Sequence, residues 1–120
     1  MAITKVLIVD DAAADRTNLQ NIVASAGYEA TAAASGREGM QRALEDKPDV
    51  IFLDILMQDM DGFELCRALR ANEATKSTPI VIVSSKNQKA DRVWALEQGA
   101  TAYVAKPYTR EDILERIRRL

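Results

Sequence analysis

The sequence predicts an α/β fold: five parallel strands in one sheet, wound on both sides by five helices. Three observations predict it. Short apolar runs alternate with longer stretches whose apolar residues recur at helical spacing, and this happens five times. The short runs are continuous and rich in Val and Ile, as in strands covered on both faces. Glycine, proline and small hydroxyl residues punctuate the borders. Parallel strands need long crossovers, and right-handed crossovers through helices give a doubly wound, layered structure.

Val6-Leu7-Ile8-Val9 is the first strand. Leu19, Ile22, Val23 and Ala26 then recur on one helical face, and Gly27 stops that helix. Residues 29–33 are a weaker strand suited to a sheet edge. Ser35 caps a second helix that turns Met40, Ala43 and Leu44 inward and ends before Pro48. Val50-Ile51-Phe52-Leu53 is the third run in strand form, followed by a loop over 54–62 and a helix with Phe63, Cys66 and Leu69 inward. Pro79 opens the strand Ile80-Val81-Ile82-Val83. A helix over 89–98 stops at Gly99, and Tyr103-Val104-Ala105 is the last strand. Thr109 caps the final helix, with Asp112 three positions on in capping-box spacing.

The 120 residues are one domain's worth, and the last helix leaves no room for an output domain. The formal net charge of −2 gives no general affinity for nucleic acid or anionic membrane. The basic cluster Arg116, Arg118 and Arg119 falls at a helix C-terminus, where cations suit the dipole. No apolar run approaches the ~20 residues that span a bilayer, and no signal-peptide pattern precedes the first strand. Cys66 is the only cysteine, which excludes an intrachain disulfide and fits a reducing cytoplasm. There is no histidine, so a His-based triad, a His zinc site and an internal phosphohistidine are excluded.

The polar residues collect at strand ends. Asp10 and Asp11 follow the first strand, Asp54 the third, Ser84 the fourth and Lys106 the fifth. In a parallel sheet those ends share one edge, where open α/β sheets bind ligands. If strands one and three are neighbours, Asp10, Asp11 and Asp54 converge. Three adjacent carboxylates repel one another unless a cation is present. Mg²⁺ suits such oxygen donors and keeps positions free for a phosphoryl oxygen. The cluster is then a metal site with one aspartate carboxylate placed as nucleophile for phosphorus, giving an acyl phosphate. Lys106 and the Ser84 hydroxyl can bind the phosphoryl oxygens. Taken singly, each residue has a commonplace role: an acid pair caps a helix, a serine makes a turn, a lysine is solvated. Asp15 reads as a first-turn helix acid and Trp94 as a helix packing residue. The joint placement at successive strand ends carries the functional reading.

The runs VLIVDD, IFLDILMQDMDGFEL, TPIVIVSS and GATAYVAKPY together resemble the CheY-like receiver domain of two-component response regulators, over residues 5–120. The resemblance implies a flavodoxin-like sheet in the order 2-1-3-4-5 and Mg²⁺-dependent phosphorylation of Asp54. It implies Asp10, Asp11, Asp54 and the Leu56 backbone carbonyl as metal ligands, Ser84 as switch hydroxyl and Lys106 as phosphate contact. Tyr103 would be an aromatic switch that turns from solvent to an inward rotamer, and Lys106–Pro107 a cis bond. The donor would be a sensor histidine kinase or a histidine phosphotransfer domain. The downstream protein would dock on helix four, strand five and helix five, including Lys89, Arg92, Ala95, Tyr103 and Thr109. The domain would then be no enzyme beyond its own phosphoryl transfer and dephosphorylation. Residues 84–100 look like single-domain regulators of twitching motility and taxis-type systems. Gln58 departs from the proline common in the family, Leu56 is apolar and Lys86 is basic.

Two enzyme or carrier classes fit less well. A phosphatase of the haloacid dehalogenase type needs D-x-D after its first strand, and Asp10-Asp11-Ala12 breaks that spacing. A flavin carrier needs a phosphate cradle in the first loop, where Asp10 and Asp11 repel a bare phosphate. A receiver fold that binds partners without phosphorylation is the third alternative.

Overall fold

The structure is a computed structural model and describes residues 2–120. Five strands, β1 (Lys5–Val9), β2 (Glu29–Ala33), β3 (Val50–Leu53), β4 (Ile80–Ser84) and β5 (Ala102–Ala105), alternate with five helices. The helices are α1 (Ala13–Ser25), α2 (Gly36–Asp46), α3 (Gly62–Ala71), α4 (Lys89–Glu97) and α5 (Arg110–Arg118). The strands form one parallel sheet in the order β2-β1-β3-β4-β5. The fold class and strand order are those expected.

Alternation along each strand divides the core in two. Val6, Ile8, Val50, Phe52, Val81 and Val83 face α1 and α5, meeting Leu19, Val23, Ile113 and Ile117. Leu7, Val9, Ile51, Leu53, Ile80 and Ile82 face α2, α3 and α4, meeting Ala43, Leu65, Cys66, Leu69 and Ala95. Every one of these strand residues is buried, which explains why the runs are apolar on both faces. Phe52 is fully enclosed, and truncating such a ring costs about 3–5 kcal/mol.

The helix borders follow their cap chemistry. Ser35 accepts the Glu38 amide, Asp61 accepts the Glu64 amide, and Thr109 and Asp112 cap each other reciprocally. Gly27 and Gly99, with φ of +96° and +104°, follow the ends of α1 and α4 in the left-handed region.

Several inward assignments need correction. Ala26 is the exposed C-cap of α1, because the helix ends one residue sooner. Leu44 lies at the solvent edge of α2, whose inward face is carried by Gly39, Met40 and Ala43. Trp94, read as a helix packing residue, packs edge-on against Phe63 at 6.4 Å and is 49% exposed. No helix among the described residues is long and apolar enough to cross a membrane.

Candidate phosphoryl-acceptor site

The strand order puts the winding reversal between β1 and β3. Val9 and Leu53 are register partners, so Asp10 and Asp54 emerge side by side. The Asp54 amide donates to the Val9 carbonyl at 3.0 Å, one step beyond the ladder. Ser84 closes β4 as the partner of Ala105, and the Lys106 amide donates to the Ser84 carbonyl at 2.8 Å. The strands alone therefore bring Asp10, Asp54, Ser84 and Lys106 to one edge.

Lys106 stands at the centre. Its ammonium lies 3.2 Å from Asp10 Oδ2, 3.1 Å from Asp54 Oδ2 and 2.8 Å from Asp15 Oδ2. The Asp10 and Asp54 side chains are only 7% and 11% exposed, and that of Lys106 16%. Burial pushes the Asp10 carboxyl above the usual carboxylate range. The Ala12 amide and Lys106 oppose that shift, and the Asp54 charge adds to it. Burial also disfavours the Lys106 ammonium. Its hydrogen bonds to Asp15 and Asp54, with the charges of Asp54 and Asp10, outweigh this and hold the lysine above its ordinary value. The cluster is thus acid-rich, largely enclosed and dependent on a cation.

Asp11 points elsewhere. Its Oδ2 accepts the Gln58 amide at 3.1 Å, a donor that a proline at that position lacks. Asp15, read from sequence as a helix acid, occupies the first turn of α1 and also reaches Lys106. Among the described residues, no group of three or more acids is arranged as a ready-made metal cage. Two of the three expected acids meet around Lys106, and the third faces the loop.

The loop over 54–61 is held at several points. The Leu56 amide donates to Asp54 Oδ1 at 3.3 Å, while the Leu56 side chain is 52% exposed. Gly62 begins α3 against the acceptor's own backbone: a Cβ there would lie 2.3 Å from the Asp54 carbonyl oxygen. Only glycine permits that approach. Asp59 reaches α2 and accepts the amides of Gly36 and Arg37 at 2.9 and 2.8 Å. Those two hydrogen bonds hold the Asp59 carboxyl below its usual range.

On the other wall, the buried Ser84 Oγ accepts the Lys86 amide at 3.2 Å. The Tyr103 hydroxyl donates to the Lys86 carbonyl. The resemblance implies a Tyr103 that turns from solvent to an inward rotamer; in the structure its ring is inward, 6% exposed, with the Arg92 guanidinium 5.3 Å from its centroid. Burial raises the Tyr103 phenol above its ordinary value, opposed by Ser84 and Arg92. Ala95 is fully buried in the core and does not belong to the exposed face of α4. The Lys106–Pro107 bond is cis, as expected. A cleft of about 550 Å³ opens between α4, β5 and α5, with Arg92, Tyr103, Glu111 and Arg116 among its walls.

The profile of the response regulator receiver domain matches residues 6–118. Protein PilH of Pseudomonas aeruginosa is 35% identical over 113 residues, which are 94% of this chain and 93% of that protein. Response regulator MprA of Mycolicibacterium vanbaalenii is 35% identical over 116 residues, 97% of this chain but 49% of that protein. This chain therefore spans about half the length of such longer relatives. Among solved structures, the chemotaxis protein CheY4 of Vibrio cholerae superposes with a TM-score of 0.93 at 35% identity, over 98% of both chains. With its topology, the family profile over residues 6–118 and relatives at 35% identity over nearly the whole chain, the chain belongs to the response regulator receiver domain family, a group of phosphorylation-dependent signalling modules.

Proposed function

We propose that this domain accepts a phosphoryl group on Asp54 and passes the signal to a protein bound at the face of α4, β5 and α5. The observation that carries this reading is the Lys106 ammonium within 3.2 Å of both Asp10 and Asp54 at the switch point. An Asp54 carboxylate oxygen attacks phosphorus, the bond from phosphorus to the donor nitrogen breaks, and its electron pair returns to that nitrogen. The donor is a phosphohistidine on a sensor histidine kinase or a histidine phosphotransfer domain, since this chain has no histidine. Lys106 is placed to bind an oxygen of the transferred group, and Ser84 to donate to another.

Two enclosed carboxylates that already share one cation, in a set of hard oxygen donors, fit Mg²⁺. Asp10, Asp11, Asp54 and the Leu56 carbonyl would hold it, with Asp11 leaving the Gln58 amide. Bound there, the ion supplies positive charge against the incoming phosphoryl oxygens. The chain's own residues align the acceptor: the Leu56 amide and Lys106 each hold one oxygen of Asp54.

Output follows from the wall opposite the loop. When Ser84 turns to a phosphoryl oxygen, the Lys86 amide loses its partner, and Tyr103 is tied to the Lys86 carbonyl. The route to the α4–β5–α5 face thus runs through Lys86 as well as through the Tyr103 ring. We place the domain in the cytoplasm, as one unit over residues 1–120, acting on protein and not directly on nucleic acid. It has no turnover beyond its own phosphorylation and dephosphorylation. Its likeness to the chemotaxis protein CheY4, and residues 84–100, support a motility or taxis-type output.

The test is intact-mass measurement after incubation with phosphoramidate or acetyl phosphate and Mg²⁺. One phosphoryl adduct is expected, absent in Asp54→Asn. An adduct that persists in that variant, mapped to Asp10 or Asp11, would overturn the assignment.

A further inference from the structure

Asp15 has no part in the chemistry above, yet it makes the shortest ion-pair contact to Lys106. An ammonium has three N–H donors, and Asp10, Asp15 and Asp54 lie at 3.2, 2.8 and 3.1 Å from it. All three donors are occupied. A phosphoryl oxygen on Asp54 can take Lys106 only if one carboxylate releases it. Without metal, Asp10 and Asp54 are enclosed, so losing the ammonium leaves a buried charge unpaired; with Mg²⁺ they have a second cation, while Asp15 still holds Lys106. Asp15 is half exposed, and water can replace the ammonium there. Asp15 is therefore the partner that lets go.

The local structure aims Asp15 at this task. Asp10 Oδ1 accepts the Ala12 amide, which fixes the start of α1, and Asp15 follows in its first turn. Arg16 does not neutralise it, because its guanidinium donates to the Asp10 carbonyl at 2.8 Å. Asp15 and Lys106 together line a cleft of about 310 Å³ with Asn18, Ser85 and Tyr108. The Asp15 carboxylate thus sits at the open side of the site, and Asp54 at the closed side.

Resting on the assignment of Asp54 as acceptor, we propose that Asp15 is a positioning residue that holds Lys106 in reserve and competes with the phosphoryl group for its ammonium. Removing the Asp15 charge frees one donor of Lys106 and also removes a negative charge that faces an incoming anion. The site then takes a phosphoryl group, or its mimic, more tightly.

The experiment measures binding of beryllofluoride with Mg²⁺ by amide chemical shifts, alongside the ¹⁵N signal of the Lys106 ammonium without either ion. Asp15→Asn and Asp15→Ala are expected to bind beryllofluoride about twofold to fivefold more tightly than wild type, as a half-exposed ion pair allows. Their Lys106 ammonium signal moves or broadens, which a merely structural role for Asp15 would not cause. Asp15→Glu restores the charge and returns affinity to the wild-type value. Equal or weaker binding by Asp15→Asn and Asp15→Ala, with wild type binding normally, overturns this proposal alone. Failure of wild type and variants alike to bind beryllofluoride overturns the acceptor assignment and this proposal with it.

Discussion

Lys106→Met keeps the aliphatic stem and removes the cation placed between Asp10 and Asp54. Two enclosed carboxylates then face each other unpaired. Breaking a buried ion pair by removing one partner costs about 3–5 kcal/mol. Lys106 retains some solvent contact, and Asp15 can be solvated, so about 2–3 kcal/mol is expected here. For a domain of this size that lowers the melting temperature by roughly 8–12 °C. The lysine's folded-state pKa is raised, so its contribution is complete below its unfolded value of about 10.4 and is lost only as pH rises through the folded value. At pH 7 the wild type therefore has all of it. In the variant, Asp10 has its burial-raised pKa with no lysine to oppose the shift, so protonation in mild acid relieves the repulsion. The deficit is largest near neutrality and shrinks as pH falls into the acid range. Urea unfolding of both proteins from pH 4.5 to 8, without divalent ions, measures it. Equal stability at pH 7, or a deficit that does not shrink in acid, would refute the reasoning.

Three further outcomes are expected. Asp10→Asn keeps the acceptor for the Ala12 amide and removes one buried charge, so the metal-free protein gains about 1 kcal/mol in urea unfolding; a loss would mean Lys106 overcompensates both acids. Leu56→Asn puts a polar group two positions after the acceptor, where it can hold an attacking water, and should speed loss of phosphate from Asp54 about threefold or more; an unchanged decay in a time course of the adduct removes that idea. Asp49 accepts the amides of Thr4 and Lys5, which hold its carboxyl below the usual range. Its contribution is present above an unfolded pKa of about 3.9 and fades as pH falls through the lower folded value. Asp49→Asn should therefore lose about 0.5–1 kcal/mol at pH 7, with the gap closing below pH 4.

The sheet was legible because its strands are buried on both faces: runs such as Val50–Leu53 leave no polar position for another reading. The gathering of Asp10, Asp54, Ser84 and Lys106 at one edge was legible for a related reason, since a parallel sheet gathers strand ends whatever the helices do. Asp15 was not. Its reach to Lys106 spans 91 positions in sequence and depends on where the first turn of α1 points, which no local pattern encodes. Asp11 looked equivalent to Asp10 in sequence, yet one is enclosed and the other binds a loop amide, because successive residues leave a strand end in different directions. Leu44 and Ala95 failed in opposite senses. Leu44 is apolar but 37% exposed at the edge of α2, while Ala95 is fully buried in the core cluster beside the sheet. Helical periodicity ranks positions by side chain; burial also depends on how close the neighbouring backbone comes.

The two walls around Asp54 differ in how they are fastened. One wall, the loop over 54–61, is pinned by Gly62 against the acceptor's own carbonyl and by the Asp59 carboxylate at the head of α2. The other, from Ser85 to the start of α4, is a run of exposed residues held by the Ser84 and Tyr103 hydroxyls at Lys86, by Arg92 donating to Asn87 and by the Gln88–Asp91 capping box. If a charge is added at Asp54, as proposed, the less fastened wall is expected to yield first, toward α4 and β5 and away from α2. On that reading the hydroxyl of Ser84 is the catch, and the ring of Tyr103 lies behind it.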